Sequence, residues 1–110
     1  MFSPELKKGS MELLILSMLD QESRHGYEIG KLIEIRSGSR IEFRISTLYS
    51  VLYRMEKNGW IKGRWVEKEG QRRRCYYRLT AAGKRVLSLQ KREWQEFAGV
   101  INELIGTSHA

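Results

Sequence analysis

Cysteine occurs once in the 110 residues, at Cys75, and proline once, at Pro4. A single thiol excludes an internal disulfide framework and any metal site built from several cysteines. The two histidines, His25 and His109, have no partners at ligand spacing, so no metal is expected. Apolar runs are short. The longest, Leu13–Leu16, is far below the roughly 20 residues of a membrane-spanning helix. No charged, apolar and small-residue leader of the secretory type opens the chain, so the expected address is the cytoplasm, without a membrane partner. No Ser-His-Asp grouping, glycine-rich phosphate loop or acidic metal cluster is evident, and neither catalysis nor a cofactor is expected. Acidic residues are also scarce, 13 against 20 lysines and arginines, giving a net charge of +7. That excess favours a polyanionic partner. An anionic lipid surface would call for a long basic amphipathic helix, and none is present.

What is present is concentrated charge. Between Trp60 and Arg78 stand Lys62, Arg64, Lys68, Arg72, Arg73, Arg74 and Arg78, against only Glu67 and Glu69. This segment reads as two strands, Trp60–Glu67 and Arg73–Leu79, around a turn at Gly70. In the second strand Cys75, Tyr77 and Leu79 share one face; Arg74, Tyr76 and Arg78 share the other. Before it lies a helix that Ser46 would cap and Asn58-Gly59 would end. Its Leu48, Val51, Leu52 and Met55 fall on one apolar face. Thr47, Ser50, Arg54 and Lys57 lie on the opposite face, flanked by Tyr49 and Tyr53. A polar helix beside a basic hairpin is the arrangement with which winged-helix proteins grip DNA, the helix in the major groove and the hairpin on phosphates.

The length fits one domain with a modest core, which a partner's contacts would help complete. Residues 1–9 read as an irregular lead. A first helix is expected from a Ser10 cap to about Leu19, apolar on almost every side, which suggests burial on two sides. A second runs from about His25 to Arg36, stopped by Ser37-Gly38-Ser39, and Arg40–Arg44 alternates as a short extended segment. Thr80 caps a last helix reaching about Ile105, before Gly106 and a polar tail; it would be roughly 39 Å long. Along it Leu87, Trp94 and Ile101 recur every seven residues, with Phe97 and Leu104 as a second series, the seam of a helix packed along another helix. Residues 1–79 thus form the DNA-binding part and 80–110 a dimerisation helix of the same unit.

Four stretches together resemble the PadR family of bacterial transcriptional regulators: His25-Gly26-Tyr27-Glu28-Ile29, Ser46-Thr47-Leu48-Tyr49, Leu52 through Ile61, and Arg73 through Gly83. The resemblance covers about Leu13 to Leu104. It implies a winged helix-turn-helix, mainly α with a small β-wing, and a homodimer formed through the first and last helices. It also implies that Tyr49 packs on the DNA backbone, and that some short members bind planar aromatic effectors at a tryptophan in the place of Trp94. Members usually carry Gly where this chain has Ser46, often Pro where it has Ser50, and Pro among the wing arginines, which here read Gly70-Gln71-Arg72-Arg73-Arg74.

The expected function is a sequence-specific regulator of transcription, a repressor, with double-stranded DNA as partner. Ser46, Thr47, Tyr49, Ser50, Tyr53 and Arg54 are candidates for groove and phosphate contact, and Arg54 suits bidentate bonding to guanine. Against this stands an ordinary solvated helix face. Arg72, Arg73 and Arg74 are candidate phosphate or minor-groove contacts; the bland alternative is a solvated charge run. Leu13, Leu87, Trp94, Ile101 and Leu104 are the candidate dimer contacts. Trp94 admits three readings: a core or seam aromatic, a ligand-stacking surface with Phe97 and Ile101 for a planar apolar effector, or a patch for another protein. His25 is expected to be structural. Cys75 points to the wing core, a redox sensor being the lesser reading. A protein-interaction module with only nonspecific DNA contact is the alternative for the whole chain.

Overall fold

The helix α1 (Pro4–Met18) begins well before Ser10. In this computed structural model, which describes residues 2–106, Ser3 is the N-cap: its hydroxyl accepts the Leu6 N–H at 3.4 Å. Pro4 follows at the first helical position, where its missing N–H costs nothing, and Glu5 complements the positive helix end. The irregular lead expected for 1–9 is therefore helical from Pro4 onward, and Ser10 lies inside the helix, its hydroxyl donating to the Lys7 carbonyl.

A two-residue strand β1 (Arg24–His25) precedes α2 (Gly26–Arg36), which His25 caps: its Nδ1 accepts the Glu28 N–H at 3.2 Å. Residues 41–44 form no strand ladder; Ile41 and Phe43 instead pack against the core. α3 (Ile45–Lys57) starts from Arg44, which makes no side-chain cap bond. Ser46 is thus a first-turn residue rather than the cap. The helix ends as expected, with Gly59 left-handed (φ 81°), Gly59 N–H bonded to the Glu56 carbonyl and Trp60 N–H to the Met55 carbonyl.

β2 (Ile61–Val66) and β3 (Arg74–Leu79) form the hairpin, and β1 pairs with the far edge of β3 in an antiparallel sheet ordered β1-β3-β2. Thr80 caps α4 (Ala81–Leu104), accepting the Gly83 N–H at 3.0 Å while its own N–H bonds to the Trp60 carbonyl. Gly83 sits so close that a Cβ there would overlap that carbonyl oxygen. Gly83→Ala is therefore expected to cost about 3 kcal/mol, the upper end for overpacking, read as a lowered denaturant midpoint. An unchanged midpoint would show that the strand-to-helix corner is looser than this.

The core joins Met11, Ile15 and Leu16 of α1, Ile29 and Ile33 of α2, the apolar face of α3, and Ile61, Tyr77 and Leu79 of the sheet. Leu87, placed on the dimer seam by its spacing, is 3% exposed and belongs to this core. Beyond it Trp94, Phe97, Val100, Ile101 and Leu104 of α4 are exposed in the protomer, and the molecule extends 56 Å along its longest axis.

Candidate nucleic-acid interface

The α3 face follows from the helix period. Leu48, Val51, Leu52 and Met55 are consumed by the core, so the residues between them must point outward. Ser46, Thr47, Tyr49, Ser50, Tyr53 and Arg54 are all exposed. Ser50 spends its hydroxyl on the Ser46 carbonyl one turn back, at 3.1 Å. The Tyr49 ring lies against the backbone of Gly26, where a Cβ would come within 2.6 Å of it. Gly26 therefore lets α2 and the tyrosine approach closely. Arg54 is ion-paired at 3.1 Å with Glu12 of α1. Glu12 is a contact the sequence did not disclose, because no local pattern links residues so far apart in the chain.

The hairpin turn runs through Gly70 (φ 73°), with Gln71 N–H bonded to the Lys68 carbonyl at 2.9 Å. Left-handed glycine at the third turn position shapes this tip without the proline usual in the family it resembles. All three candidate arginines are exposed. The Arg73 guanidinium lies over the ring of Trp65 on β2, 4.8 Å from its centroid. Arg74 Nη1 comes within 2.7 Å of His25 Nε2, and the imidazole meets Tyr76 edge-on.

His25 thus faces two donors, the Glu28 amide and the Arg74 guanidinium; a neutral imidazole can accept from one of them, an imidazolium from neither. Burial, reinforced by Arg74 and opposed by Glu28, holds its pKa below the ordinary value. For a base so depressed, stability is whole above the unfolded pKa of about 6.5 and is lost as pH falls from there toward the folded value. The melting temperature is therefore expected to fall as pH drops below about 6.5. His25→Asn, which can still cap α2, should flatten that decline, and an unflattened decline would assign it to other groups. Cys75 is half-buried, and burial pushes its thiol up, the opposite of what a redox sensor needs.

A groove of about 1580 Å³ separates α1 and the start of α3 from α4. It brings Trp94 and Phe97 together with Leu13, Thr47, Ser50 and Arg54. Glu12, Glu93 and Glu96 also line it, as do Lys7, Lys8 and Arg44. Ile101 and Leu104 lie outside the groove lining, farther along α4, and are exposed at 37% and 78%. Among the described residues no cluster of His, Cys, Asp or Glu suits a metal, and no helix is long and apolar enough to cross a membrane. His109 and the tail after Gly106 lie outside the described residues.

Similarity to known proteins agrees with this arrangement. Residues 15–89 match the model of the transcriptional regulator PadR-like family. A transcriptional regulator from Clostridium thermocellum has the same fold, with a TM-score of 0.86 and 36% identity over 94% of this chain and 97% of that one. A PadR family transcription regulator from Clostridium difficile R20291 superposes with a TM-score of 0.77 and 35% identity, covering 88% of this chain and 99% of that one. An uncharacterised protein of Lysinibacillus sphaericus is 31% identical over 102 residues, 93% of this chain and 94% of that one. A winged helix with a three-stranded sheet, an open polar α3 and a basic hairpin, matched over most of its length, places the chain in the PadR-like family of transcriptional regulators.

Proposed function

We infer that the protein is a homodimeric, sequence-specific DNA-binding repressor of the cytoplasm, with α3 in the major groove and the wing arginines on flanking phosphates. The observation that carries this reading is the division of α3: four residues locked in the core, six polar or aromatic residues open beside a basic hairpin. Dimerisation is supported by Trp94, Phe97, Ile101 and Leu104, which leave an apolar stripe along the free half of α4. A twofold axis along that stripe would set two copies of α3 on half-sites about 34 Å apart, one helical turn. Selection of duplexes from a random pool by the purified protein tests the reading. Enrichment of a two-half-site sequence is expected, and a pool that stays random after repeated rounds would leave only nonspecific contact.

Trp94 and Phe97, with Ile101 beyond them, form the effector site of this reading. The aromatic walls suit a flat apolar molecule, and Glu93 and Glu96 beside Trp94 would offset part of the chain's positive charge for a cationic one. Such a ligand changes DNA binding only by its difference in affinity between dimer geometries. Planar cationic dyes are expected to quench tryptophan fluorescence saturably at micromolar concentration, and Trp94→Ala to abolish that component while the dimer persists. Trp60 and Trp65 also emit, so the difference between the two proteins is the signal. Quenching unaltered by the substitution would make Trp94 a packing residue only.

A further inference from the structure

The hairpin register places Lys62 directly opposite Arg78, Arg64 opposite Tyr76 and Val66 opposite Arg74. Side chains alternate across a strand, so these residues share one face of the sheet. The other face carries Ile61, Trp65, Cys75, Tyr77 and Leu79 and meets α3, whose Glu56 carboxylate accepts the Gly63 N–H at 2.9 Å. The cationic face therefore looks away from α3. A shallow cavity of about 560 Å³ lies on it, bordered by Ser23, Lys62, Arg64, Lys68, Tyr76 and Arg78. No carboxylate borders that cavity. Among the described residues none of its four cations has an ion-pair partner, although Arg24, Lys31 and Arg54 elsewhere do.

Like charges set directly opposite destabilise a ladder. Here the Lys62–Arg78 pair is flanked diagonally by Arg64, and among the described residues no carboxylate borders the cavity to offset the repulsion. A surface of this kind is completed by an anion from outside. Cations at every second residue of a strand suit a repeating polyanion better than one small ion, and the hydroxyls of Ser23 and Tyr76 add neutral donors. The row is also continuous, through Arg74, with the wing tip. A duplex already held by α3 and the tip would reach it by running on past the half-site.

We propose that the outer face of the wing sheet, with Lys62, Arg64 and Arg78 as its cations, is a second phosphate-binding surface for DNA flanking the half-site held by α3. This rests on the DNA-binding reading above. The test compares wild type with the Lys62→Gln/Arg64→Gln/Arg78→Gln variant on two duplexes. One is a selected duplex trimmed to the two half-sites. The other is the same duplex extended at each end by about 10 base pairs, one helical turn. Wild type is expected to bind the extended duplex roughly tenfold more tightly, with a steeper dependence on salt. The variant should lose that gain, bind the trimmed duplex as wild type does, and melt no lower, since opposed charges have been removed. Equal wild-type affinity for both lengths would overturn the proposal, as would a variant that keeps the gain; the face would then suit an acidic protein. A variant equally weakened on both duplexes would also overturn it, by making these residues ordinary half-site contacts. Failure of wild type to bind either duplex would sink the DNA-binding reading itself, a different result from all of these.

Discussion

Leu104→Glu is expected to convert the protein from dimer to monomer at micromolar concentration without unfolding it. Leu104 is 78% exposed in the protomer, so a carboxylate there costs the isolated fold almost nothing. In a dimer built along the α4 stripe the same carboxylate would be desolvated without a partner, which is costly. Separating the subunits also uncouples the two half-sites, and linked binding of this kind exceeds single-site affinity by roughly 10²–10⁴-fold. Affinity for a two-half-site duplex should fall by that order. Leu87→Glu is the contrast: Leu87 is 3% exposed within the protomer, so its substitution should unfold the chain whatever the subunit state. Sedimentation and circular dichroism on both variants separate the two behaviours. A wild-type protein that sediments as a folded monomer would remove the seam altogether.

The contrast between Leu87 and Leu104 also shows what the sequence can and cannot say. Seven-residue spacing identifies a helix face, but a face continues unchanged from the part covered by the protomer's own α1 to the part that leaves it. Only the tertiary structure tells where one ends. The same limit hid Glu12, whose contact with Arg54 joins residues 42 apart, and β1, whose two residues are too few to show alternation. The division of α3 was legible because a strong amphipathic period fixes both the buried and the open face at once. So was the wing, since aromatic and β-branched runs around Gly70 leave few other structures. The start of α1 was legible in principle: Ser3-Pro4-Glu5 carries a cap, a first-turn proline and a favourable charge, yet Ser10 offered a competing cap nearer the apolar run.

The double substitution Arg72→Ala/Arg73→Ala is expected to weaken binding to every duplex and to flatten its salt dependence. A dimer neutralising ~3–4 phosphates at each half-site should show a slope of log K against log salt of about −5 to −7. If the four arginines removed from the dimer each hold a phosphate, the slope should become shallower by about 3–4. Selected and random duplexes should lose affinity alike, because phosphate contacts hold position and carry no sequence information. An unchanged slope would make the arginine run a solvated surface.

Methylation interference on a selected duplex tests the central claim most directly. Methyl groups at guanine N7 project into the major groove, whereas those at adenine N3 project into the minor groove. If α3 reads the major groove through its open face, N7 methylation at two clusters of guanines about one helical turn apart should abolish binding. Binding indifferent to every N7 methyl group, with sensitivity confined to adenine N3, would contradict the account and place the protein on the minor groove instead.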